Sequence, residues 1–342
     1  MTSRTALVTG TAGFIGYHLA RLLLDEGWTV HGLDGMTDYY DVALKRRRHA
    51  MLLQSPRFTA TEAMLEDAGA VARAAEAARP DVVVHLAGQA GVRYSLENPR
   101  AYVDSNLVGT FNVMEAARDA GVGHLLMAST SSVYGANAVM PFEEGHKADT
   151  PLTIYAATKK ANEAMGHAWS HVHDLPVTMF RFFTVYGPWG RPDMALYKFA
   201  DAMRLGRPIE IYNHGDMVRD FTYVSDLVRG VAMLIDAPPP LPGARDGVAP
   251  VEGDTLSPAA AFRVVNIGNA ERVRLMDFIE ALEASLGIEA EKRFIEMQRG
   301  DVPATWADTG LLRRLTGYAP RTGYREGVAR FVAWYRDHHA MA

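Results

Sequence analysis

A glycine-rich turn close to the start of the chain is the feature that most restricts its fold. The apolar residues 6–8 predict a buried strand, and residues 14–24 predict the helix that follows it. Between them, Gly10, Gly13 and Gly16 allow a tight turn, close approach of a diphosphate and packing of the helix on the strand. The N–H groups and the dipole at the start of that helix favour an anion. The turn therefore predicts a dinucleotide site, although its GxxGxxG spacing also fits a βα turn that merely contains glycine.

An acidic residue at the end of the next predicted strand favours the dinucleotide interpretation. The strand pattern 29–34 ends in Asp34. At about 20 residues after the turn, a carboxylate binds the adenosine ribose hydroxyls and disfavours a 2′-phosphate. The sequence therefore predicts NAD rather than NADP as the cofactor. The residues expected to hold it at the turn are Gly10, Gly13, Phe14, Ile15 and Gly16.

Strand and helix patterns alternate through the first half of the chain. Such alternation implies right-handed βαβ units and a parallel sheet with helices on both faces. We therefore predict an α/β fold, a doubly wound parallel (Rossmann) sheet whose ligands lie outside the carboxyl ends of the strands. The further strands are predicted at 58–61, 80–88, 124–129 and 176–182, and the further helices at 42–53, 67–78, 98–120 and 155–171.

The second half of the chain has a less regular pattern and predicts a smaller C-terminal α/β domain for the substrate. Residues 1–180 are assigned to the NAD-binding domain, with returns to it near 218–236 and 261–268, and residues 181–342 mainly to the substrate domain. Residues 236–261, which are rich in Pro, Gly and Ala, predict the most mobile loop. The other predicted elements are helices at 194–205 and 275–286 and strands at 209–212, 218–224 and 263–268.

Composition argues against several classes of function. The net charge of −5 over 342 residues argues against a protein that coats nucleic acid, and the short basic run 45–48 fits a solvated face or a loop near the cofactor phosphates. The absence of cysteine excludes disulfides, zinc–thiolate sites and thiol catalysis. No cluster of His, Asp and Glu has metal-ligand spacing, so no metal is expected. The early first strand and the lack of a bilayer-length apolar run predict a cytoplasmic enzyme that does not enter a membrane.

Two polar clusters follow predicted strands, where chemistry is expected. The first contains Thr130, and the second opens the helix 155–171 with Tyr155 and Lys159. Tyr155 and Lys159 share one helix face, so the lysine charge is expected to lower the pKa of the phenol, and an oxidised nicotinamide would add to this. Tyr155 is then a candidate general base for a hydroxyl whose oxygen Thr130 also holds. The alternative is an exposed Tyr and Lys on an amphipathic helix.

With these features in place, the sequence resembles the extended short-chain dehydrogenase/reductase superfamily, and within it the UDP-glucuronate 4-epimerases. The glycine turn, Thr130, Tyr155 and Lys159 indicate the superfamily. The resemblance to the 4-epimerases covers nearly the whole chain. The stretches that carry it are 89–99, 102–109, 181–195, 219–223 and 300–308.

The resemblance implies a reaction that interconverts UDP-glucuronate and UDP-galacturonate by inversion at sugar carbon 4. Tyr155 would remove the proton of the 4-hydroxyl while hydride passes to NAD, and the 4-keto sugar would rotate and take the hydride back on its other face. Because NAD is regenerated in each cycle, it is expected to stay bound. The resemblance also implies a homodimer in which the helices 98–120 and 155–171 form a four-helix bundle with a second copy.

The resemblance further assigns site residues. Arg219 matches a diphosphate-binding position, Tyr212 a uracil-stacking position and Asp301 a ribose-contacting position, while Asn106 matches an asparagine near the nicotinamide. The alternatives are a strand-edge ion pair for Arg219, core packing for Tyr212 and a helix-interior hydrogen bond for Asn106. The other residues assigned by resemblance are Leu86 and Ala87 at the cofactor, and Arg93, Thr130, Ser131, Ser132, Thr184 and Arg191 at the substrate.

Ser132 bears on the outcome of the reaction. A ketone at carbon 4 and a carboxylate on carbon 5 form a β-keto acid, which readily loses carbon dioxide, and decarboxylating relatives carry Glu at the position of Ser132. We hypothesise that the hydroxyls of Thr130, Ser131, Ser132 and Thr184 hold the carboxylate away from the orientation that favours this loss. Ordinary strand-end capping is the alternative for Ser131 and Ser132.

The chain departs from the family in three places, and other functions stay open. Gly35 and Met36 follow the cofactor acid where relatives usually have asparagine and an apolar residue. Ala63 and Met64 stand where relatives carry Gly-Asp at the adenine, which suggests a backbone contact, and Gln298, next to Arg299, stands at the position of a second diphosphate arginine. A UDP-glucuronate decarboxylase and a neutral UDP-hexose 4-epimerase are alternatives with the same fold, and Ser132 argues against the first. A non-enzymatic module that binds NAD and a UDP-sugar is the alternative from another class, and the intact catalytic set argues against it.

Overall fold

The computed structural model describes residues 4–247, 249 and 251–340. Its strands are β1 (Thr5–Thr9), β2 (Thr29–Asp34), β3 (Phe58–Glu62), β4 (Val82–His85), β5 (His124–Thr130), β6 (Val177–Phe182), β7 (Thr184–Tyr186), β8 (Ile209–Ile211), β9 (Val218–Arg219), β10 (Phe221–Tyr223), β11 (Phe262–Ile267), β12 (Val273–Arg274), β13 (Lys292–Phe294) and β14 (Ala304–Thr305). Its α-helices are α1 (Phe14–Asp25), α2 (Val42–Leu52), α3 (Ala68–Ala78), α4 (Tyr94–Glu97), α5 (Pro99–Tyr102), α6 (Thr110–Asp119), α7 (Ile154–His173), α8 (Ala195–Arg204), α9 (Val224–Ile235), α10 (Leu275–Leu286), α11 (Gly310–Thr316) and α12 (Tyr324–Ala340). A π-helix spans Val103–Gly109, and short 3-10 helices span Ser131–Tyr134, Tyr212–Gly215 and Pro242–Ala244.

Seven parallel strands form the main sheet, in the order β11-β6-β5-β4-β1-β2-β3. Alternate residues of β1 face opposite layers, as the pleat of a strand requires. Ala6 and Val8 lie in the core that contains α1 and α9, and Leu7 lies in the core that contains α3 and α6. The strand order reverses between β1 and β4, where ligands of such sheets bind. The predicted doubly wound, Rossmann-like α/β fold is confirmed.

A second, smaller core lies beside this sheet. Side chains of α8, α10 and α12 pack there around β8, which pairs in parallel with β13, and around residues of β7, β10 and β12. The rings of Phe221 and Phe278 stack within it, with their centroids 3.8 Å apart. This core occupies the part of the chain assigned to the substrate, and the domain boundary after residue 180 stays a prediction.

The predicted helix 98–120 is wrong in its interior. The chain is helical from Pro99 to Asp119, but Val103–Gly109 forms a π-helix, in which each turn takes an extra residue. The buried Asn106 lies in this turn, and its amide bonds the backbone of Gln89 and the hydroxyl of Thr158. These tertiary hydrogen bonds support the wider turn, and apolar periodicity does not report them.

The predicted strand 218–224 is also wrong, because the chain changes partners at Asp220. The Asp220 N–H donates to the Thr305 carbonyl and the Thr184 N–H donates to the Asp220 carbonyl, so β9 and β10 join different sheets. The fully buried Asp220 carboxylate fixes the junction by accepting hydrogen bonds from the N–H groups of Asn269 at 2.7 Å, Ala270 at 2.9 Å and Ala307 at 3.2 Å. Residue 224 already belongs to α9.

Residues 236–261 contain the 3-10 helix Pro242–Ala244 and, among the residues that the structure describes, no strand or α-helix. Val248 and Pro250 of this stretch lie outside the described residues. Arg263 binds Asp254 at 2.8 Å, and Arg245 donates to the Ala260 carbonyl at 2.8 Å. The described part of the loop is therefore tied at two points, and its mobility stays a prediction.

Candidate functional site

A cavity of about 1110 Å³ runs along the carboxyl ends of the main sheet and reaches the second core. Its size exceeds the roughly 300–1,000 Å³ of a pocket for one small molecule. The residues predicted for the cofactor that line it are Gly10, Gly13, Phe14, Ile15, Gly16, Asp34, Leu86, Ala87, Tyr155 and Lys159. The residues predicted for the substrate that line it are Arg93, Thr130, Ser131, Ser132, Thr184, Arg191, Tyr212, Arg219 and Asp301. The fold thus brings all predicted site residues except Asn106 to the wall of one space.

The glycine turn leaves no room for side chains at its three glycines. Gly10 has a φ of +81°, and a Cβ on it would lie 2.9 Å from the backbone nitrogen of Ala87. A Cβ on Gly16 would lie 2.0 Å from the Gly10 carbonyl oxygen. α1 begins at Phe14, so the N–H groups of its first turn border the cavity together with the positive end of the helix dipole. The turn is suited to an anion such as a diphosphate.

Asp34 holds the same turn from the end of β2. Its two carboxylate oxygens accept hydrogen bonds from the N–H groups of Ala12 and Met36, each at 2.9 Å. An ionised carboxylate has lone pairs for further donors. Asp34 can therefore fix the turn and still accept from ribose hydroxyls in the cavity.

Thr130, Tyr155 and Lys159 meet at the end of β5. Thr130 is the last residue of that strand, and its side chain is near enough to the Tyr155 hydroxyl to lower the pKa of the phenol. The Lys159 ammonium group donates to the Ala128 carbonyl at 3.1 Å. All three side chains are supplied by the main sheet and by α7, which packs on it. The arrangement can hold a substrate hydroxyl between a threonine and a tyrosine beside a buried cation.

Burial dominates the acid–base behaviour of this group. Burial raises the pKa of the Tyr155 phenol, while the nearby Thr130 side chain and the charge of Arg191 lower it. Burial also lowers the pKa of Lys159 to about 8. The expectation that Lys159 leaves Tyr155 with a lowered pKa is therefore wrong for the protein alone, because helix spacing carries no information on burial. Phenolate formation near neutral pH requires further positive charge, such as an oxidised nicotinamide supplies.

Arg191, on the loop after β7, is oriented by Asp193. The Asp193 carboxylate accepts from Arg191 Nε at 3.0 Å and from Nη2, and the Tyr39 hydroxyl donates to the same carboxylate at 3.2 Å. Although burial favours the neutral acid, the Arg191 charge lowers the pKa of Asp193. Neither bond of this pair uses Nη1 of Arg191, so that nitrogen can bind an anion in the cavity.

At the other end of the cavity, Arg93, Tyr212 and Asp301 meet from three distant parts of the chain. The guanidinium carbon of Arg93 lies 4.1 Å from the Tyr212 ring centroid, and Arg93 Nη2 lies 3.4 Å from Asp301 Oδ2. Burial lowers the pKa of Arg219, and Asp301 acts in the opposite direction. The side chain of Arg219 donates to the carbonyls of Val218 at 2.9 Å, Val302 at 2.7 Å and Pro303 at 3.0 Å. This end of the cavity combines an aromatic ring with two cations.

Asn106 does not line the cavity but supports its wall. Its Oδ1 accepts from the Gln89 N–H at 2.8 Å, and its Nδ2 donates to the Gln89 carbonyl and to Thr158 Oγ1, both at 3.1 Å. These bonds connect the loop after β4 to α7. The structure supports a positioning role for Asn106, close to the helix-interior hydrogen bond considered from the sequence.

The sequence interpretation of the run 45–48 missed a buried arginine. Arg48 is fully buried and donates to the Ala12 carbonyl at 2.9 Å and the Tyr40 hydroxyl at 2.8 Å. It also donates to the carbonyls of Trp189 at 2.6 Å and Gly190 at 3.2 Å. Arg48 therefore joins the glycine turn to the loop that carries Arg191. The helix α2 that carries this basic run has no apolar face, so the sequence did not indicate that Arg48 is buried.

Two further arginines at the substrate end were also missed. Arg207 and Arg293 line the cavity, whereas Gln298 and Arg299 are not part of its wall. Arg293 stands on β13, which pairs with β8 and brings Arg293 opposite Glu210. The sequence pattern did not predict β13, so this pairing could not be anticipated.

Two further properties concern metals and membranes. Within residues 4–247, 249 and 251–340, no group of three or more His, Cys, Asp or Glu side chains is placed to hold a metal ion. None of the helices in that part of the chain has the length and apolar character needed to cross a bilayer.

Comparisons with known proteins agree with this geometry. The family model described as "NAD dependent epimerase/dehydratase family" matches residues 6–245. The chain is 56% identical to a probable UDP-glucuronate 4-epimerase of Rhizobium meliloti (strain 1021) over 337 residues, 98% of each chain. It is 42% identical to UDP-glucuronate 4-epimerase 4 of Arabidopsis thaliana over 341 residues, 98% of this chain and 76% of the relative. The crystal structure of UDP-glucuronic acid 4-epimerase from Bacillus cereus in complex with UDP-glucuronic acid and NAD superposes with a TM-score of 0.85 at 30% identity, covering 98% of this chain and 99% of that one. The chain belongs to the NAD dependent epimerase/dehydratase family.

Proposed function

We propose that this chain is an NAD-dependent UDP-glucuronate 4-epimerase that interconverts UDP-glucuronate and UDP-galacturonate. The observation that carries the proposal is the position of Tyr155, Thr130 and Lys159 in the wall of the cavity that begins at the glycine turn and reaches the pair Arg93 and Tyr212. The similarity to 4-epimerases over nearly the full chain supports the choice of sugar.

The residues around the glycine turn fit NAD. A diphosphate fits where a Cβ on Gly10 or Gly16 would collide with backbone, at the start of α1, and Asp34 accepts from the adenosine ribose hydroxyls. When bound, NAD takes a hydride from sugar carbon 4 and gives it back in the second half of the cycle. Since the cofactor ends each cycle oxidised, tight retention at the turn suits this reaction better than exchange.

Tyr155 moves the proton in both halves of the cycle. As the C–H bond at carbon 4 breaks, the Tyr155 phenolate takes the 4-hydroxyl proton and the C–O bond becomes a ketone. Thr130 donates a hydrogen bond to the same oxygen, and the Lys159 cation stabilises the phenolate. After the sugar has turned about its diphosphate linkage, Tyr155 returns the proton to the oxygen as carbon 4 is reduced on its other face.

Cations and hydroxyls distributed along the cavity recognise the substrate. Arg191, held by Asp193, binds the sugar carboxylate, and Ser131, Ser132 and Thr184 hold that carboxylate with neutral hydrogen bonds. The diphosphate is bound by Arg219, the uracil ring stacks on Tyr212, and the uridine ribose contacts Asp301 and Arg93. An arginine suits both anions because its charge is permanent and its donors are planar.

The test is the product formed from UDP-glucuronate by the purified protein without added NAD. Proton nuclear magnetic resonance is expected to show UDP-galacturonate accumulating to an equilibrium mixture, because the cofactor stays bound and is not consumed. A UDP-pentose as the main product would instead identify a decarboxylase. Turnover of UDP-glucose but not of UDP-glucuronate would identify a neutral-sugar epimerase. Bound NAD without turnover of either sugar would identify a binding module.

The proposal includes a homodimer in the cytoplasm. Apolar side chains are exposed on the π-helix and α6, where Val108 is 46% and Phe111 is 40% exposed. The ring of Phe111 packs against Trp169 of α7, with the centroids 5.5 Å apart. These helices form one surface that a second copy would cover, giving a four-helix bundle. Cell fractionation tests the location.

A further inference from the structure

Glu66 presents a buried acceptor at the cofactor end of the cavity. Its side chain contributes to the cavity wall, and its Oε2 is shielded from solvent without a hydrogen-bond donor among the described residues. Leaving a buried carboxylate oxygen unsatisfied is unfavourable, so a ligand donor is expected there. We infer that Glu66 binds the exocyclic amine of the NAD adenine and thereby selects adenine over other purines.

The backbone around Glu66 holds this acceptor in place. The Ala63 N–H donates to the Asp34 carbonyl at 3.1 Å, and the Asn112 side chain donates to the Leu65 carbonyl at 2.8 Å. On the other side, Asp67 caps α3 by accepting from the Ala70 N–H at 2.9 Å. The segment that carries Glu66 is therefore fixed on both sides before any ligand binds.

Glu66 lies where the order of the strands is expected to place the adenine of the cofactor. The diphosphate binds after β1, and the ribose binds Asp34 at the end of the neighbouring strand β2. β3 is next in the sheet and pairs Glu62 with Asp34, so the segment after β3 borders the space beyond the ribose. Met64 also lines the cavity there and offers an apolar side chain to the flat face of a base.

Two other carboxylates near this end already have donors. Asp34 accepts from Ala12 and Met36, and Asp104 accepts from Arg100 at 2.8 Å. A carboxylate accepts hydrogen bonds and an aromatic amine donates them, so Glu66 and the adenine amine are complementary. A purine with a carbonyl oxygen in place of the amine would set two acceptors against each other.

The test compares binding of NAD with binding of nicotinamide hypoxanthine dinucleotide, in which that amine is replaced by a carbonyl oxygen. The full-length protein is exchanged into an equimolar mixture of the two, desalted and denatured, and the released dinucleotides are quantified by mass spectrometry. The same ratio should be reached from protein first saturated with either one. We expect the wild-type protein to prefer NAD by at least about tenfold, in line with one hydrogen bond to a charged group. In Glu66→Gln the preference should fall to near one, because an amide can donate to the carbonyl as well as accept from the amine.

Glu62→Gln is the matched control, because Glu62 lies at the end of β3 in an exposed pair with Arg46 and does not line the cavity. It should keep the wild-type preference. An unchanged preference in Glu66→Gln would overturn the assignment. A loss of preference in Asp104→Asn instead would also overturn it, as would a wild-type protein that binds neither dinucleotide. The inference rests on the NAD part of the proposed function. Because its readout is binding, failure of the sugar chemistry would leave this test intact.

Discussion

At Tyr155, burial and charge act in opposite directions on the same proton. Burial raises the pKa of the phenol, and the pKa of the neighbouring Lys159 is lowered to about 8. The groups of the protein therefore favour the neutral phenol, whereas the positive charge of an oxidised nicotinamide would favour the phenolate. A base activated in this way would take the substrate proton only when the hydride acceptor is bound.

The variant Tyr155→Phe should lose turnover of UDP-glucuronate by about 100- to 10,000-fold, the usual contribution of a general base. Bound NAD should stay at the wild-type level, since the glycine turn and Asp34 are unchanged. The measurement combines the epimerisation rate with the dinucleotide released on denaturation. Tyr318→Phe, outside the cavity wall, is the control and should keep the wild-type rate. Near wild-type turnover of Tyr155→Phe would exclude this residue as the base.

Asp193→Asn should raise the KM for UDP-glucuronate by about tenfold, because the charged partner that orients Arg191 is lost. Turnover of UDP-glucose, if measurable, should change little because it lacks the carboxylate. Steady-state kinetics with both sugars provides the check, with the exposed cavity residue Asp38→Asn as the control. A lower KM would show that Asp193 competes with the substrate for Arg191 and does not position it.

The candidate site was predictable where sequence motifs fix neighbouring atoms. The glycine turn, Asp34 and the pair Tyr155 and Lys159 needed only strand–turn–helix and i, i+4 geometry. The contact of Arg93 with Tyr212 was not predictable, because it depends on how the second core meets the main sheet. The bonds from Arg48 reach the carbonyl of Ala12, 36 residues away, and that of Trp189, 141 residues away, and no local pattern predicts them.

At the level of elements, the side chain of Glu144 links its loop to the strand β11, and this link involves a carboxyl group whose pKa is shifted. Its Oε1 accepts from the N–H of Asn266 on β11 at 2.8 Å. Burial raises the pKa of Glu144 to about 7, with the nearby charge of Asp308 in the same direction and two backbone hydrogen bonds opposing it. The folded protein therefore binds this proton more tightly than the unfolded chain.

This difference predicts a pH dependence of stability. The stabilisation that the protonated Glu144 carboxyl group contributes is fully present below its pKa in the unfolded chain, about 4.3. It is lost as the pH rises through about 7, its pKa in the folded protein. Relative to Glu144→Gln, the unfolding free energy of the wild-type protein should fall by about 1 kcal/mol between pH 5 and pH 8, a reduced figure because the side chain is partly exposed. Denaturant unfolding at several pH values provides the measurement, with the exposed Glu143→Gln as control. Parallel pH curves for wild type and Glu144→Gln would contradict the assignment.

Most elements followed from apolar periodicity, and the exceptions have tertiary causes. The other predicted helices and strands agree with the structure within three residues at each end. The π-helix depends on Asn106 reaching Gln89, and the break at Asp220 depends on three N–H groups from distant loops. A single sequence window contains neither interaction, so periodicity predicted one continuous helix and one continuous strand instead.

For the whole molecule, the proposed homodimer can be tested at the exposed apolar side chains of the π-helix and α6. Phe111→Glu should convert the dimer to a monomer, because a charge would be buried in the bundle without a partner. Sedimentation velocity at several concentrations measures this, and Leu205→Glu, at a 50% exposed apolar position after α8, should remain dimeric. A dimeric Phe111→Glu would place the interface elsewhere, and a monomeric wild-type protein would exclude the dimer.

The buried Arg48 has a consequence for protein engineering. Its one guanidinium group bonds the carbonyl of Ala12 in the glycine turn and the carbonyls of Trp189 and Gly190 beside Arg191. A change in the 187–193 loop that admits a different sugar is therefore expected to disturb, through Arg48, the backbone that holds the cofactor. Directed evolution of new sugar specificity on this scaffold should accumulate compensating substitutions at Tyr40 and Arg48, far from the sugar in sequence.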